Sequence, residues 1–281
     1  MPSDVAPTGS RVRVLVLTGL GLNCEQETAQ GFAMCGAQAD LMHLSDMLEG
    51  LGRPLSDYHV LAMVGGFAFG DHLGGGVVYA NRLRYRMRDD LLRFVADGGL
   101  ILGICNGFQT MVKLGLLPGL DGDYGTQQAT LSANDRLGYR NAWITVRADP
   151  SSPCVWTRGI DSMDLPARHG EGKFVTATGA VLRALQDEHL VVVRYVDEQG
   201  EPTGQWPANP NGSPDAIAGI CDPTGRLFGL MPHPDAYLYG HNHPQWPRKK
   251  LAGVLQERGD GLRIFQNGVD HVAKRLALGT G

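Results

Sequence analysis

A cysteine sits among small residues in the run Gly103-Ile104-Cys105-Asn106-Gly107, where an apolar stretch gives way directly to a helical pattern. The spacing G-x-C-x-G is the thiol form of the nucleophile elbow, a sharp strand-to-helix turn that presents a nucleophile at the carboxyl edge of a sheet. Such a turn strains the nucleophile's backbone and leaves no room for neighbouring Cβ atoms, so glycines flank it. A thiol placed there meets the positive end of the helix dipole and free N–H groups, which favour thiolate. Cys105 is therefore expected to be a nucleophile rather than a buried structural thiol.

A nucleophilic thiol needs a base and a group to orient that base. Met231-Pro232-His233-Pro234-Asp235 follows the apolar run 226–231. Pro234 keeps His233 out of the α region. In an extended stretch residues i and i+2 point the same way, so His233 and Asp235 are expected to project together. The result is a Cys105–His233–Asp235 triad. The loop 64–71, Val-Gly-Gly-Phe-Ala-Phe-Gly-Asp, follows another apolar run. Its glycines let backbone N–H groups approach a ligand, so Gly66 is expected to supply one oxyanion donor. The N–H of Asn106, the residue after the nucleophile, is the second.

These residues need a scaffold that gathers them. Short apolar runs at 12–17, 39–44, 59–64 and 100–104 alternate with helical patterns at 25–36 and 78–98. That alternation predicts βαβ units and a doubly wound, mostly parallel α/β sheet with flanking helices. Further strands are expected at 142–147, 190–196, 216–222 and 226–231, with Asp222-Pro-Thr-Gly225 turning a hairpin between the last two. Leu262, Phe265, Val269, Val272 and Leu276 form one apolar helical stripe. Residues 1–10 are expected to be a disordered tail, and 11–281 one domain with surface insertions near 119–140 and 236–260. Asn-Gly at 211–212 is a hairpin-turn signal that needs no functional explanation.

Composition bounds the possibilities. A formal net charge of -4 over 281 residues argues against a broad nucleic-acid surface. The sequence shows no long apolar run and no signal-peptide pattern at its start, so neither a membrane segment nor secretion is expected. Five cysteines, an odd number with no C-x-x-C pair, argue against a disulfide framework or a structural zinc site and fit a cytoplasmic protein. Cys35, Cys154 and Cys221 are expected to be small buried hydrophobes, and Cys24 to pack in the first βα loop. No metal site is expected. His241 and His243 form the one histidine-x-histidine pair, read here as part of a polar lid or interface loop.

Seven segments together carry a resemblance. They are Gly-Leu-Asn-Cys-Glu-Gln-Glu (21–27), Gly-Gly-Phe-Ala-Phe-Gly-Asp (65–71), Gly-Ile-Cys-Asn-Gly-Phe-Gln (103–109), His-Gly-Glu-Gly-Lys-Phe (169–174), Asn-Pro-Asn-Gly-Ser (209–213), Met-Pro-His-Pro-Asp (231–235) and Asp-Gly-Leu-Arg-Ile-Phe-Gln-Asn (260–267). In this order they resemble the class I, triad-type glutamine amidotransferases, and among them the glutaminase subunits of phosphoribosylformylglycinamidine synthase. The resemblance spans about Val12 to Ala273. It implies a flavodoxin-like fold and hydrolysis of glutamine through a γ-glutamyl thioester on Cys105. Gln109, with Gly65 and Phe67, would help hold the substrate. The ammonia would pass to a partner synthetase subunit, with a small third subunit in the complex. ATP and magnesium would bind that partner, and this chain has no G-x-x-x-x-G-K-[ST] phosphate loop and no cofactor of its own. The segment 169–174 is read as a loop at the site rim or subunit interface.

Two departures stand out. The family usually carries glutamate where this chain has Asp235, followed by arginine where this chain has Ala236. A catalytically weak regulatory or scaffold subunit is therefore one alternative. An unrelated cysteine hydrolase of similar fold is another, disfavoured because no histidine lies between Cys105 and His169.

Overall fold

A computed structural model describes residues 11–278; the expected tail at 1–10 lies outside the described residues. In chain order the elements are β1 (Arg13–Thr18), α1 (Glu25–Met34), β2 (Gln38–His43), α2 (Leu44–Leu48), β3 (Val60–Met63), α3 (Val77–Ala96), β4 (Leu100–Ile104), α4 (Asn106–Leu114), β5 (Ala129–Ala133), β6 (Arg140–Ala148), β7 (Ser162–His169), β8 (Glu171–Thr176), α5 (Gly179–Asp187), β9 (Val191–Val196), β10 (Ile217–Cys221), β11 (Leu227–Leu230), α6 (Trp246–Leu251) and α7 (Leu262–Leu278).

Nine strands form the central sheet in the order β2-β1-β3-β4-β11-β10-β9-β6-β7. The first five are parallel, as the βαβ alternation demands. The remaining four extend the sheet antiparallel. Every residue of β3, β4 and β11 is buried, which matches their continuous apolar runs and marks strands covered on both faces. Helices α1 and α7 pack together, with Phe32 edge-on to Phe265 at 4.9 Å. Helix α4 packs with α3. The β1–α1–β2 and β3–α3–β4 crossovers run in opposite directions along the sheet. Right-handed crossovers therefore set α1 and α3 on opposite faces. No helix among the described residues is long and apolar enough to cross a membrane.

The 222–225 hairpin forms as expected. Gly219 pairs with Leu230 and Cys221 with Phe228, while Asp222 Oδ1 accepts the N–H groups of Arg226 and Leu227. Three expectations are corrected. Residues 119–140 are not simply a surface insertion: Ala129–Ala133 forms β5, which pairs with β8 in a second sheet and buries Ala129 and Leu131. Residues 169–174 are not a rim loop but the end of β7 and the start of β8, turning at Gly170. Asn211-Gly212 does not turn a hairpin; it belongs to a buried polar turn in which Asn211 bonds to the Tyr195 hydroxyl and Asn209 Oδ1 accepts the Gly212 N–H. Within 236–260 the chain is anchored by the buried Tyr237, Leu238 and His243 and closed by a Tyr239–Arg258 bridge, while α6 has no buried residue.

Candidate active site

Sheet order explains why distant residues meet. Strands β1, β3, β4 and β11 are consecutive neighbours, and their carboxyl ends carry Cys24, Gly65–Gly66, Cys105 and His233 in turn. Cys105 links β4 to α4 with φ 52° and ψ -105°, a conformation that costs a non-glycine residue strain of order 1–3 kcal/mol. Its N–H donates to the Leu230 carbonyl at 2.8 Å, which ties the elbow to β11. The flanking glycines are sterically required. A Cβ on Gly107 would lie 1.9 Å from the Met63 carbonyl oxygen, and one on Gly103 would lie 2.4 Å from the Met111 sulfur. Because Met63 is backbone of the neighbouring strand, Gly107→Ala is expected to lose about 2 kcal/mol or more of stability, read by chemical denaturation.

His233 and Asp235 are both buried, and His233 Nδ1 lies 3.2 Å from Asp235 Oδ1. The route to this pairing differs from the extended i, i+2 alternation expected. His233 is extended, but Pro234–Ala236 forms a single 3₁₀ turn that brings the carboxylate back to the imidazole. Burial pushes the His233 pKa down, yet Asp235 and Cys105 outweigh it and hold the group well above its ordinary value. Nε2 of His233 makes no hydrogen bond of ordinary geometry, although the Cys105 thiol is close enough to interact. Such contacts are commonly loose before substrate binds. The Cys105 sulfur lies 3.6 Å from the Arg168 carbonyl oxygen.

The oxyanion candidates lie beside this group. Gly66 has φ 137°, a region that favours glycine. The pairing of the 21–23 and 65–67 segments uses the Gly65 carbonyl and the Phe67 N–H, leaving the Gly66 N–H outside that ladder. The Asn106 N–H is in the first turn of α4, where no intrahelical acceptor exists. Gly65 borders the triad itself: a Cβ there would sit 2.7 Å from His233 Cε1 and 3.3 Å from Cys24 Sγ. Phe67 is exposed, its ring 6.1 Å from that of Tyr139. Gln109 is buried and clamped, its Nε2 donating to the Glu171 carbonyl and its Oε1 accepting from Asn106 Nδ2. Asn106 also donates to Asp71, and the Glu171 carboxylate accepts the Gly75 N–H. Burial pushes Asp71 above the usual carboxylate range, and Glu171 adds to the shift.

Residues not singled out as site groups from the sequence also gather here. Cys24 lies against His233 and Asp235; burial raises its thiol pKa, and His233 offsets part of that. Its position in the β1–α1 loop, at the start of α1, was the available signal, but only the strand order shows that β1 is two strands from the elbow. Tyr139 has its pKa raised by burial and by Cys105. His169 is buried, with Nδ1 bonded to Asn134 Oδ1 at 3.1 Å, and burial lowers its pKa to about 4. A histidine held neutral in the fold binds fewer protons than in the unfolded chain below about pH 6.5. Stability is therefore present above that pH and falls as pH drops toward 4. We expect about 2 kcal/mol lost from this group between pH 7.5 and 5, and a flatter profile in His169→Gln, measured by denaturant titration.

The lid histidines do not converge on one site. His243 is buried between Trp143 and Tyr237, with Nε2 3.5 Å from Asp164 Oδ2, whereas His241 stacks on Tyr239. Cys35, Cys154 and Cys221 are buried thiols, as expected.

The chain is similar to known proteins of one family. The CobB/CobQ-like glutamine amidotransferase domain matches residues 11–272. The phosphoribosylformylglycinamidine synthase subunit PurQ of Methanococcus maripaludis is 40% identical over 271 residues, covering 93% of this chain and 98% of that protein. The PurQ subunit of Dehalococcoides mccartyi is 42% identical over 260 residues, covering 92% and 97%. Among solved structures, a chain of PurLQS from Thermotoga maritima superimposes with a TM-score of 0.68 at 24% identity, covering 93% of this chain and 99% of that one, which supports the shared fold. The chain belongs to the CobB/CobQ-like glutamine amidotransferase family, in the branch of the PurQ subunits.

Proposed function

We propose that this chain is the glutaminase subunit of phosphoribosylformylglycinamidine synthase, hydrolysing glutamine at Cys105 and delivering ammonia for formylglycinamidine ribonucleotide synthesis. The observation that carries the reading is the meeting of a strained elbow cysteine with a buried His233–Asp235 pair at one sheet edge. Cys105 Sγ attacks the side-chain carboxamide carbon. The N–H groups of Gly66 and Asn106 hold the developing oxyanion. His233, protonated beside Asp235, gives its proton to the departing nitrogen, and ammonia leaves a γ-glutamyl thioester. His233 then takes a proton from water, the hydroxide attacks the thioester, and glutamate departs with the thiol restored. Asp235 orients the imidazole and stabilises its charge without itself transferring a proton.

Gln109, Gly65 and Phe67 line the substrate in this reading. Ammonia is used by a synthetase subunit that holds ATP and magnesium, with a small third subunit in the assembly. The compartment is the cytoplasm, where free thiols such as the five here persist. The test is glutamate release by the chain alone and with a synthetase subunit. Slow hydrolysis alone, a large rise on complex formation and matching formylglycinamidine ribonucleotide support the reading. Full activity in the isolated chain with no coupling contradicts it.

A further inference from the structure

Cys24 Sγ, an imidazole nitrogen of His233 and a carboxylate oxygen of Asp235 lie within 4.8 Å of one another, and among the described residues they are the one group of histidine, cysteine and acidic side chains placed to share a metal ion. We propose that these three side chains form an inhibitory site for a thiophilic divalent cation, with zinc the fitting case. Occupation would switch the glutaminase off reversibly. The inhibitory consequence rests on the functional reading above, while the binding site stands on geometry alone.

The donor set fits. Thiolate, imidazole and carboxylate are the three ligand types zinc takes, at about 2.0–2.3 Å and tetrahedral angles. Those bond lengths place ligand atoms about 3.3–3.8 Å apart. Contraction from within 4.8 Å asks only for side-chain adjustment, and the fourth position is left for water. The ring nitrogen on the Asp235 side is Nδ1, 3.2 Å from the carboxylate, so the ion would take the place of the hydrogen bond between His233 and Asp235 in a site whose side chains are 3% and 2% exposed. Space is provided too. Gly65 has no side chain to fill the gap between His233 and Cys24, and a cavity of about 500 Å³ lined by Cys24, Arg168 and Asp235 gives a route from solvent. On coordination the Cys24 thiol and the His233 imidazolium each release a proton to water, the latter from the nitrogen that takes the ion. The cation would take up His233 and Asp235, leaving no base for Cys105. Cys24 has no part in the thioester steps, so it can serve as a sensor without weakening the metal-free enzyme.

The test titrates zinc into the apo chain by calorimetry and repeats it with cobalt, whose thiolate charge-transfer absorption reports sulfur coordination. The expected result is one ion per chain with a cobalt–thiolate band. Cys24→Ser should lose the band and weaken zinc binding at least about tenfold, or 1.4 kcal/mol. In the complex with its synthetase, zinc should inhibit the parent reversibly by chelator, while Cys24→Ser keeps basal turnover and loses that sensitivity. Unchanged zinc affinity in Cys24→Ser, or loss of the band only in Cys105→Ser, would overturn the proposal by placing the metal on the nucleophile. Cation binding through Cys24 in a chain that never hydrolyses glutamine would keep the site and refute the functional reading instead.

Discussion

Cys105→Ala is expected to abolish synthetase-activated glutamine hydrolysis, with a loss on the order of a millionfold. Removing the nucleophile in a comparable triad has an effect of that size. Alanine fits the elbow sterically, because the strain at φ 52° is already accepted there and the new side chain is smaller than the old. The folded stability should therefore stay close to the parent, and the loss should appear in turnover. The synthetase in the same complex should still work with added ammonia, since that route bypasses Cys105. Glutamate release and ammonia-dependent product formation, measured side by side, check both halves. Substantial glutamine hydrolysis in Cys105→Ala would move the chemistry to another residue.

Asp235→Asn is expected to lower turnover by about four powers of ten, the cost of removing the orienting carboxylate in a comparable triad. The motive is the 3.2 Å contact between Asp235 and His233 Nδ1, with both side chains buried. Asparagine keeps the shape of the 3₁₀ turn but cannot stabilise an imidazolium. Asp235→Glu should retain or raise activity, because it keeps the carboxylate and the family resemblance implies glutamate at this position. Another acid of the site, Glu171, is engaged elsewhere, its carboxylate accepting the Gly75 N–H at 2.8 Å. Turnover within a few-fold of the parent in Asp235→Asn would leave His233 working without this partner. The same measurement decides whether a shorter acid makes the chain a weak regulatory subunit.

The parts of this site that were legible in the sequence are those set by local sterics. The elbow announces itself because only glycine fits beside Met63 and Met111, and the buried strands of the parallel block are unbroken apolar runs. An extended i, i+2 alternation accounts for only part of the pairing of His233 with Asp235. Proline at 234 does leave His233 extended, but it also starts the 3₁₀ turn that delivers the carboxylate. Non-local features were hidden. Strand β5, with the sequence Ala-Thr-Leu-Ser-Ala, has little strand signal of its own and is held by pairing with β8 some forty residues later. Cys24 reads as a loop residue until strand order sets β1 beside β3, one strand short of β4. His169 is a polar residue whose burial follows from the β7–β8 turn and its Asn134 partner, neither of which a local pattern specifies.

The central claim is that glutamine is opened by the sulfur of Cys105, and it is tested most directly by trapping the intermediate. The chain, in complex with its synthetase, is mixed with glutamine, quenched in acid during turnover and analysed by peptide mass spectrometry. The account predicts a glutamyl adduct on the peptide containing Cys105, lost on base treatment as a thioester should be and missing from Cys105→Ala. An adduct on Cys24 or on another side chain, or turnover with no covalent species on Cys105 under any quench time, would contradict it.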